Sequence, residues 1–222
     1  SLIITKGAKI MAEGTAMSPI VFTSNEAVGD RAEGDWGGLV LLGKGVNNQP
    51  GGIANIEGIA PTADTEFGGS DDNDNSGSLK YVRIEFAGIA LQPNKEINGL
   101  TFGSVGKQTR VDYVQVSFSG DDSFEWFGGT VDCKHLIAYR GLDDDFDTDF
   151  GYRGRVQFGL IVRDPNLSDA IGDSNSFESD NDANGSGAMP QTAAIFSNIT
   201  TVGPLGDGTA VLPGDEKFEK AF

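Results

Sequence analysis

The segment Asp122-Ser123-Phe124-Glu125-Trp126 decides the fold, because its pattern occurs three more times along the chain. The matching segments begin at Asn98, Asp144 and Asn175, and the residues at the four centres are Leu100, Phe124, Phe146 and Phe177. These centres are 24, 22 and 31 residues apart. A repeat of about 22–24 residues, lengthened where a loop is inserted, is typical of a parallel β-helix, in which stacked coils bury a face that one coil cannot bury alone.

A second column of apolar residues supports the same repeat. Short alternating segments separated by Gly or Asp clusters contain Ile84, Val116, Ile137, Val162 and Ile199, which we predict to stack in register. The sequence therefore predicts an all-β protein, a parallel β-helix with coils of about 22–24 residues and long loop insertions. An antiparallel sandwich is the alternative, although only Asn98-Gly99 resembles a two-residue hairpin turn.

Composition excludes several classes of function. The chain has 33 acidic and 16 basic residues, a net charge of −17, which repels phosphate backbones and anionic lipid. No apolar run reaches the roughly 18–20 residues of a membrane span. The single cysteine, Cys133, cannot form an intrachain disulfide, and the single histidine, His135, argues against a zinc site or a Ser-His-Asp triad. We therefore expect no nucleic-acid partner and no membrane span.

Longer motifs carry a family resemblance. They are Gly7–Ala16, Pro19–Ser24, Gly34–Leu39, Glu96–Leu100, Gly120–Gly129 and Asp143–Gly151. With these motifs the chain resembles exported right-handed parallel β-helix proteins of Bacteroidetes and related bacteria, which share the pectate-lyase-like architecture. The resemblance implies one right-handed β-helix domain over residues 1–222, within a longer exported chain located outside the cell or on its outer surface. It brings no catalytic residues with it.

The acidic residues are densest between positions 121 and 182. Strand alternation in Asp143–Phe150 places the phenylalanines on one face and four aspartates on the other. Stacking the repeat brings Glu125 beside Asp147, and carboxylates about 4.8 Å apart repel by about 1–3 kcal/mol. Calcium, which takes 6–8 oxygen ligands, would relieve the repulsion. The predicted Ca²⁺ ligands of this outward row are Asp121, Asp122, Glu125, Asp143, Asp145, Asp147, Asp149 and Glu178.

Two loops have a similar chemistry. Residues 72–77 and 180–185 both follow the pattern D-x-D-x-[NS]-G, in which alternate oxygens converge on one ion and the glycine permits a tight turn. The further predicted calcium ligands are Asp72, Asp74, Asp180 and Asp182. The alternative is that both loops are solvated acidic turns.

Two enzyme templates fit only in part. Gly120-Asp121-Asp122 resembles the polygalacturonase signature, but no carboxylate accompanies Asn98 one coil earlier. A calcium-dependent lyase would need a base beside the acidic row, for which Arg153, Arg155 and Lys134 are the candidates.

A sugar ligand is the remaining prediction for the acidic face. Alternation directs Trp126 inward and Phe127 outward, so Phe127 is predicted to contact a sugar ring, with Arg153 and Arg155 as further ligand-binding residues. The sequence thus favours an extracellular β-helix scaffold, adhesin or glycan-binding module stabilised by Ca²⁺, with a polysaccharide or cell-surface glycan as partner. The alternatives are a calcium-dependent polysaccharide lyase or glycoside hydrolase, and a surface filament whose subunits associate through the solenoid ends.

Overall fold

A computed structural model describes residues 1–92, 95–169, 174–204 and 218. The chain alternates between two parallel sheets as it coils. Sheet A contains, in spatial order, β1 (Leu2–Ile4), β4 (Leu39–Leu42), β10 (Leu100–Gly103), β12 (Phe124–Phe127), β14 (Phe146–Asp149) and β16 (Phe177–Ser179). Sheet B contains β17 (Ile195–Val202), β15 (Arg155–Val162), β13 (Cys133–Tyr139), β11 (Arg110–Ser117), β7 (Gly77–Glu85) and β2 (Ile10–Glu13), and β3 (Ile20–Phe22) also pairs with β7.

The register of sheet A confirms the first repeat. Leu100 pairs with Phe124, Phe124 with Phe146, and Phe146 with Phe177, all between parallel strands. Since every pairing within sheets A and B is parallel, the fold is a parallel β-helix and the sandwich alternative is wrong. Antiparallel pairing between named strands is confined to two hairpins, β5 (Ile53–Asn55) with β6 (Glu66–Gly68), and β8 (Ala90–Gln92) with β9 (Lys95–Glu96).

The second predicted column is only partly correct. Ile84 pairs with Val116 as expected, but Val116 then pairs with Ala138, and Ala138 with Ile161. Ile137 and Val162 are one residue away and point to the outer face, while Ile199 pairs with Gly159. A slip of one residue reverses the face of a side chain, and here both faces of the strand carry apolar residues.

Aromatic side chains fill the space between the two sheets. Trp126 is fully buried and stacks at 5.5 Å on both Phe102 and Tyr152, which come from neighbouring coils. Phe124 and Phe146 meet edge to face at 5.6 Å. Because parallel strands lie about 4.8 Å apart, rings at one position of successive coils reach each other, which favours a single register.

Sheet B has a bulge at one position of five successive coils. Tyr81, Tyr113, His135, Phe158 and Asn198 all have φ between 50° and 62° and are skipped in the pairing of the strands. The four rings stack in order, with centroids 4.6, 4.2 and 5.0 Å apart. A bulky residue at positive φ is unusual, so this column is a specific feature of the outer face of sheet B.

A long insertion covers part of the outer face of sheet A. The segment between β4 and β7 contains the β5–β6 hairpin, and its Ile56 and Phe67 pack with Val40, Leu42 and Phe127 in a second apolar cluster. This cover explains why β4, β10 and β12 are buried on both faces. The acidic residues lie on the continuation of that face, from β12 through β14 to β16.

Candidate metal centre

The predicted carboxylate row lies on the outer face of sheet A. Glu125 pairs in register with Asp147, and Asp147 with Glu178, so three adjacent coils each contribute one acidic side chain. The backbone amide of Asp180 donates to the carbonyl of Thr148 at 3.0 Å and extends the alignment beyond β16. No strand of sheet A contains a lysine or arginine, so the row has no basic partner within its own sheet.

Two groups of carboxylates converge at the start of this row. Ligand atoms of Asp122, Glu125 and Asp147 lie within 4.8 Å of one another, and so do those of Asp121, Asp122 and Asp143. Asp122 belongs to both groups and connects the turn before β12 to the strand face. We call these five residues the acidic cluster. Because this donor set consists of carboxylate oxygens without sulfur or imidazole, it suits calcium better than a transition metal.

The cluster is buried more deeply than a surface row would be. Glu125 and Asp122 are 9% and 8% exposed. The amide Nδ2 of Asn98 donates to Oε2 of Glu125. The Oδ1 atom of Asp147 is buried without a hydrogen-bond donor among the described residues, and the nearest side-chain partner of Asp147 is another acid, the carboxyl group of Glu125. An unpartnered carboxylate oxygen is costly to bury, and a bound cation would provide the missing interaction.

Burial and mutual repulsion raise the pKa values of the cluster. Burial raises the pKa of Glu125 well above its usual range, and the charges of Asp147 and Asp121 raise it further. The pKa of Asp122 is raised in the same way, first by burial and then by Asp121 and Asp147. Burial raises the pKa of Asp147 to about 7 and that of Asp149 to about 6. Without a cation, the cluster therefore holds protons that ordinary carboxyls lose near pH 4.

A column of Asn and Asp residues, which includes Asp122 of the cluster, connects the turns of successive coils by hydrogen bonds. Asn98, Asp122, Asp144 and Asn175 occupy the first position of the four repeats. Oδ1 of Asp122 accepts from the amide of Asp144 at 3.0 Å, and Oδ1 of Asp144 accepts from the amide of Asn175 at 2.5 Å. Each of these two aspartates thus caps the backbone of the next coil, and the stacked coils hold the carboxylates of the cluster in place.

The family comparison agrees with this architecture. The family model described as a pectate-lyase-like β-helix domain matches residues 1–211. The chain belongs to this family. No curated protein and no solved structure matches the chain. Membership points to a carbohydrate-related or scaffold role. No helix among the residues that the structure describes is long and apolar enough to cross a membrane.

One predicted ligand of this pectate-lyase-like domain is in a different environment. Asp145 was expected on the outward row, but it is fully buried and pairs with Arg163 at 3.1 Å. The alternation failed because β14 begins only at Phe146, so residues 143–145 form a turn and do not alternate. Burial raises the pKa of Asp145 to about 7, while the charge of Arg163 lowers it.

Carboxylates of the two acidic loops lie outside the cluster. Asp72 accepts from the amide of Val46 at 2.9 Å and from Arg153 at 3.1 Å, and Asp74 is buried beside Ser76 at 3.4 Å. Asp182 accepts from the Asn184 amide and from both the amide and the hydroxyl of Ser186, and these donors lower its pKa. Asp180 and Asp182 act on the row mainly through their charge, which raises the pKa of Asp149. Calcium on either loop stays a prediction.

The predicted sugar contacts do not form one surface. Phe127 points outward as expected, but only 8% of it is exposed, because Phe67 of the insertion and Phe150 cover its ring at 6.1 and 5.0 Å. The prediction that this ring is open to a sugar is therefore wrong. Arg153 is held by Asp72, and Arg155 pairs with Asp132 at the start of a strand of sheet B. Lys134 also lies on sheet B.

Sequence reasoning missed Asp144 and Arg163. Asp144 is 1% exposed, and burial, together with a contact to Glu178, raises its pKa to about 10. The Asn or Asp at the head of every repeat was the available signal for Asp144. Nothing in the sequence indicated Arg163, because its partner Asp145 is 18 residues away along the chain and comes close only when the chain coils.

Proposed function

We propose that this domain is a calcium-stabilised β-helix scaffold that works outside the cell and presents a surface to glycans. The observation that supports the calcium site is the convergence of Asp122, Glu125 and Asp147 within 4.8 Å around a buried, unpartnered carboxylate oxygen. Binding a divalent ion here would replace repulsion between coils by attraction along the solenoid axis. Calcium would therefore join β12 to β14 and the turns that precede them.

The spacing of the cluster favours this role over hydrolysis with inversion. An inverting glycosidase needs its two carboxyls about 6.5–9.5 Å apart to admit a water, whereas the ligand atoms here lie within 4.8 Å. A lyase needs an accessible base beside the row, but Arg153 is held by Asp72, and Arg155 and Lys134 lie on strands of sheet B. Family membership supports the carbohydrate partner, and the location outside the cell is part of the same proposal.

Thermal melting with and without calcium tests the site. Calcium at one hundred times its dissociation constant adds about 2.7 kcal/mol, which for a chain of this length raises the melting temperature by roughly 5–11 °C. Asp147→Asn should remove most of this gain, because one ligand charge is lost. The matched control is Asp64→Asn, an exposed carboxyl outside the cluster, which should melt with the full calcium response.

Two outcomes would contradict the proposal. Equal melting temperatures in EDTA and in millimolar calcium would exclude a stabilising cation. An unsaturated product or new reducing ends from a panel of uronate and neutral polysaccharides would show an enzyme instead of a scaffold. Retardation of the protein in gels containing the same polysaccharides measures glycan binding independently of calcium.

A further inference from the structure

The outer face of sheet B has the composition of an interface. Its centre contains exposed apolar side chains, with Tyr113, Phe158 and Leu160 exposed by 40%, 43% and 36%. Ile137 and Val162 lie on the same face, half-buried. Aromatic residues at the centre of a patch are characteristic of protein interfaces, and exposed apolar patches of this kind mark contact sites.

Charged residues form a neutralised rim around this centre. Arg83 pairs with Glu85 at 3.1 Å, Arg110 lies 3.9 Å from Glu13, and the Arg155 Nε donates to Asp132 at 3.0 Å. The strands of sheet B carry five basic and three acidic residues, whereas those of sheet A carry four acidic residues and no basic one. In a protein of net charge −17, two copies therefore repel each other less through this face than through the outer face of sheet A.

The stacked rings make a sugar a poor occupant of this face. Tyr81, Tyr113, His135 and Phe158 cover one another's ring faces, with interplanar angles of 16°, 6° and 11°. A sugar stacks on a ring face, but here mainly the edges point outward. A flat apolar surface with paired charges instead fits a surface like itself.

The area is sufficient for a specific dimer. Five neighbouring strands, β7 to β17 in sheet B, have seven to nine residues each. At about 4.8 Å between strands and about 3.3 Å per residue, they span about 600 Å² per copy. Two copies would bury about 1,200 Å², the lower limit of specific interfaces.

We propose that the domain forms a two-fold dimer through the outer faces of sheet B, with Tyr113, Phe158 and Leu160 at its centre. The Thr15–Pro19 turn borders the same face beside Tyr81 and Tyr113 and would form its rim at one end. This dimer goes beyond the proposed calcium site, which lies on sheet A, so either one can fail without the other.

Sedimentation of the 222-residue chain between about 1 and 100 µM tests the dimer. We expect the wild type to change from monomer to dimer over this range. Leu160→Lys combined with Phe158→Lys should weaken dimerisation at least tenfold, because it places two cations from each copy at the centre. Met189→Lys, at a 74% exposed residue in the loop between β16 and β17, is the control and should dimerise like the wild type.

A second variant distinguishes a loss of dimerisation from a loss of folding. Asn198 occupies the bulge position one coil after Phe158 at φ 56°, and asparagine tolerates this conformation. Phe158→Asn should therefore keep the circular dichroism spectrum and melting temperature but lose at least tenfold in dimer affinity. A wild type that stays monomeric at 100 µM overturns the proposal, and so do variants that dimerise normally. A monomer that polysaccharide gels retard only when Phe158 is present would assign the face to glycans and likewise overturn it.

Discussion

Replacing Arg163 by methionine tests whether the acidic turn depends on one buried cation. Arg163 enters the turn before β14, where its guanidinium lies 3.1 Å from the carboxylate of Asp145. The same group donates to the carbonyl oxygens of Asp143 at 2.5 Å and Leu142 at 3.3 Å. Methionine keeps much of the apolar stem but removes the guanidinium from all three oxygens, and only the Leu142 carbonyl keeps another donor, the hydroxyl of Ser174.

The expected loss is large because neither partner reaches water. The side chains of Arg163 and Asp145 are 3% and 0% exposed, and removing one partner of a buried ion pair costs about 3–5 kcal/mol. For a chain of this size the melting temperature should fall by roughly 6–20 °C. Arg155→Met is the matched control, because its pair with Asp132 is 69% exposed on the arginine side, and exposed pairs contribute about 0–1 kcal/mol.

Chemical denaturation at several pH values distinguishes the lost charge from lost packing. Asp145 has a pKa of about 7 beside Arg163, and without that charge its pKa should rise further. A carboxyl whose pKa is higher in the folded than in the unfolded state favours folding at low pH, and this contribution disappears as pH rises through the interval between the two values. Arg163→Met should therefore be closer to the wild type at pH 5 than at pH 8.

A double variant completes the test. Arg163→Met with Asp145→Leu removes the stranded charge and should recover part of the stability, about 2 kcal/mol. The reasoning is refuted if Arg163→Met unfolds within 1 kcal/mol of the wild type, or if the double variant is as unstable as the sum of the two single variants.

Two further predictions concern the row and the coil. In EDTA the wild type should lose stability between pH 5 and pH 8, because Asp147 and Asp149 have pKa values of about 7 and 6 in the folded protein against 3.8 when unfolded. The melting temperature should fall less steeply with pH in Asp147→Asn and in saturating calcium. A melting temperature that rises with pH would contradict the assignment. Gly77→Ala should lower the free energy of unfolding in urea by about 3 kcal/mol or more, because φ is +110° and a Cβ would lie 1.9 Å from the Ile10 carbonyl oxygen. The control Gly51→Ala, at φ +75° with open space around it, should cost about 1 kcal/mol. Equal costs would mean that the close approach of β2 and β7 is unimportant.

The two registers show how far strand patterns can be trusted. The column of Leu100, Phe124, Phe146 and Phe177 was predicted residue by residue, because polar residues or glycine flank each central apolar one. In sheet B, Ile137 and Val162 were placed in one column with Ile84 and Val116 because the strands alternate weakly. The bulge at His135 adds a residue that no ladder pairs, so counting in twos changes face within the strand.

The acidic row shows the corresponding limit for the site. Stacking of Glu125 on Asp147 followed from the repeat alone. That Phe127 is covered did not, because its cover, Phe67, comes from an insertion 60 residues earlier. The burial of Asp145 could not be predicted without knowing that β14 begins at Phe146, because side chains in a turn do not alternate between two faces.

The sequence by itself determined that the chain coils, where its coils repeat and which carboxylates stack, because these depend on the spacing of residues along the chain. Only the tertiary structure decided how deeply the carboxylates are buried, that Arg163 neutralises Asp145, and that the outer face of sheet B is apolar while that of sheet A is acidic. Those properties depend on which distant segment covers a residue, and burial, more than residue type, determines the pKa of a carboxyl and the cost of leaving it unpaired.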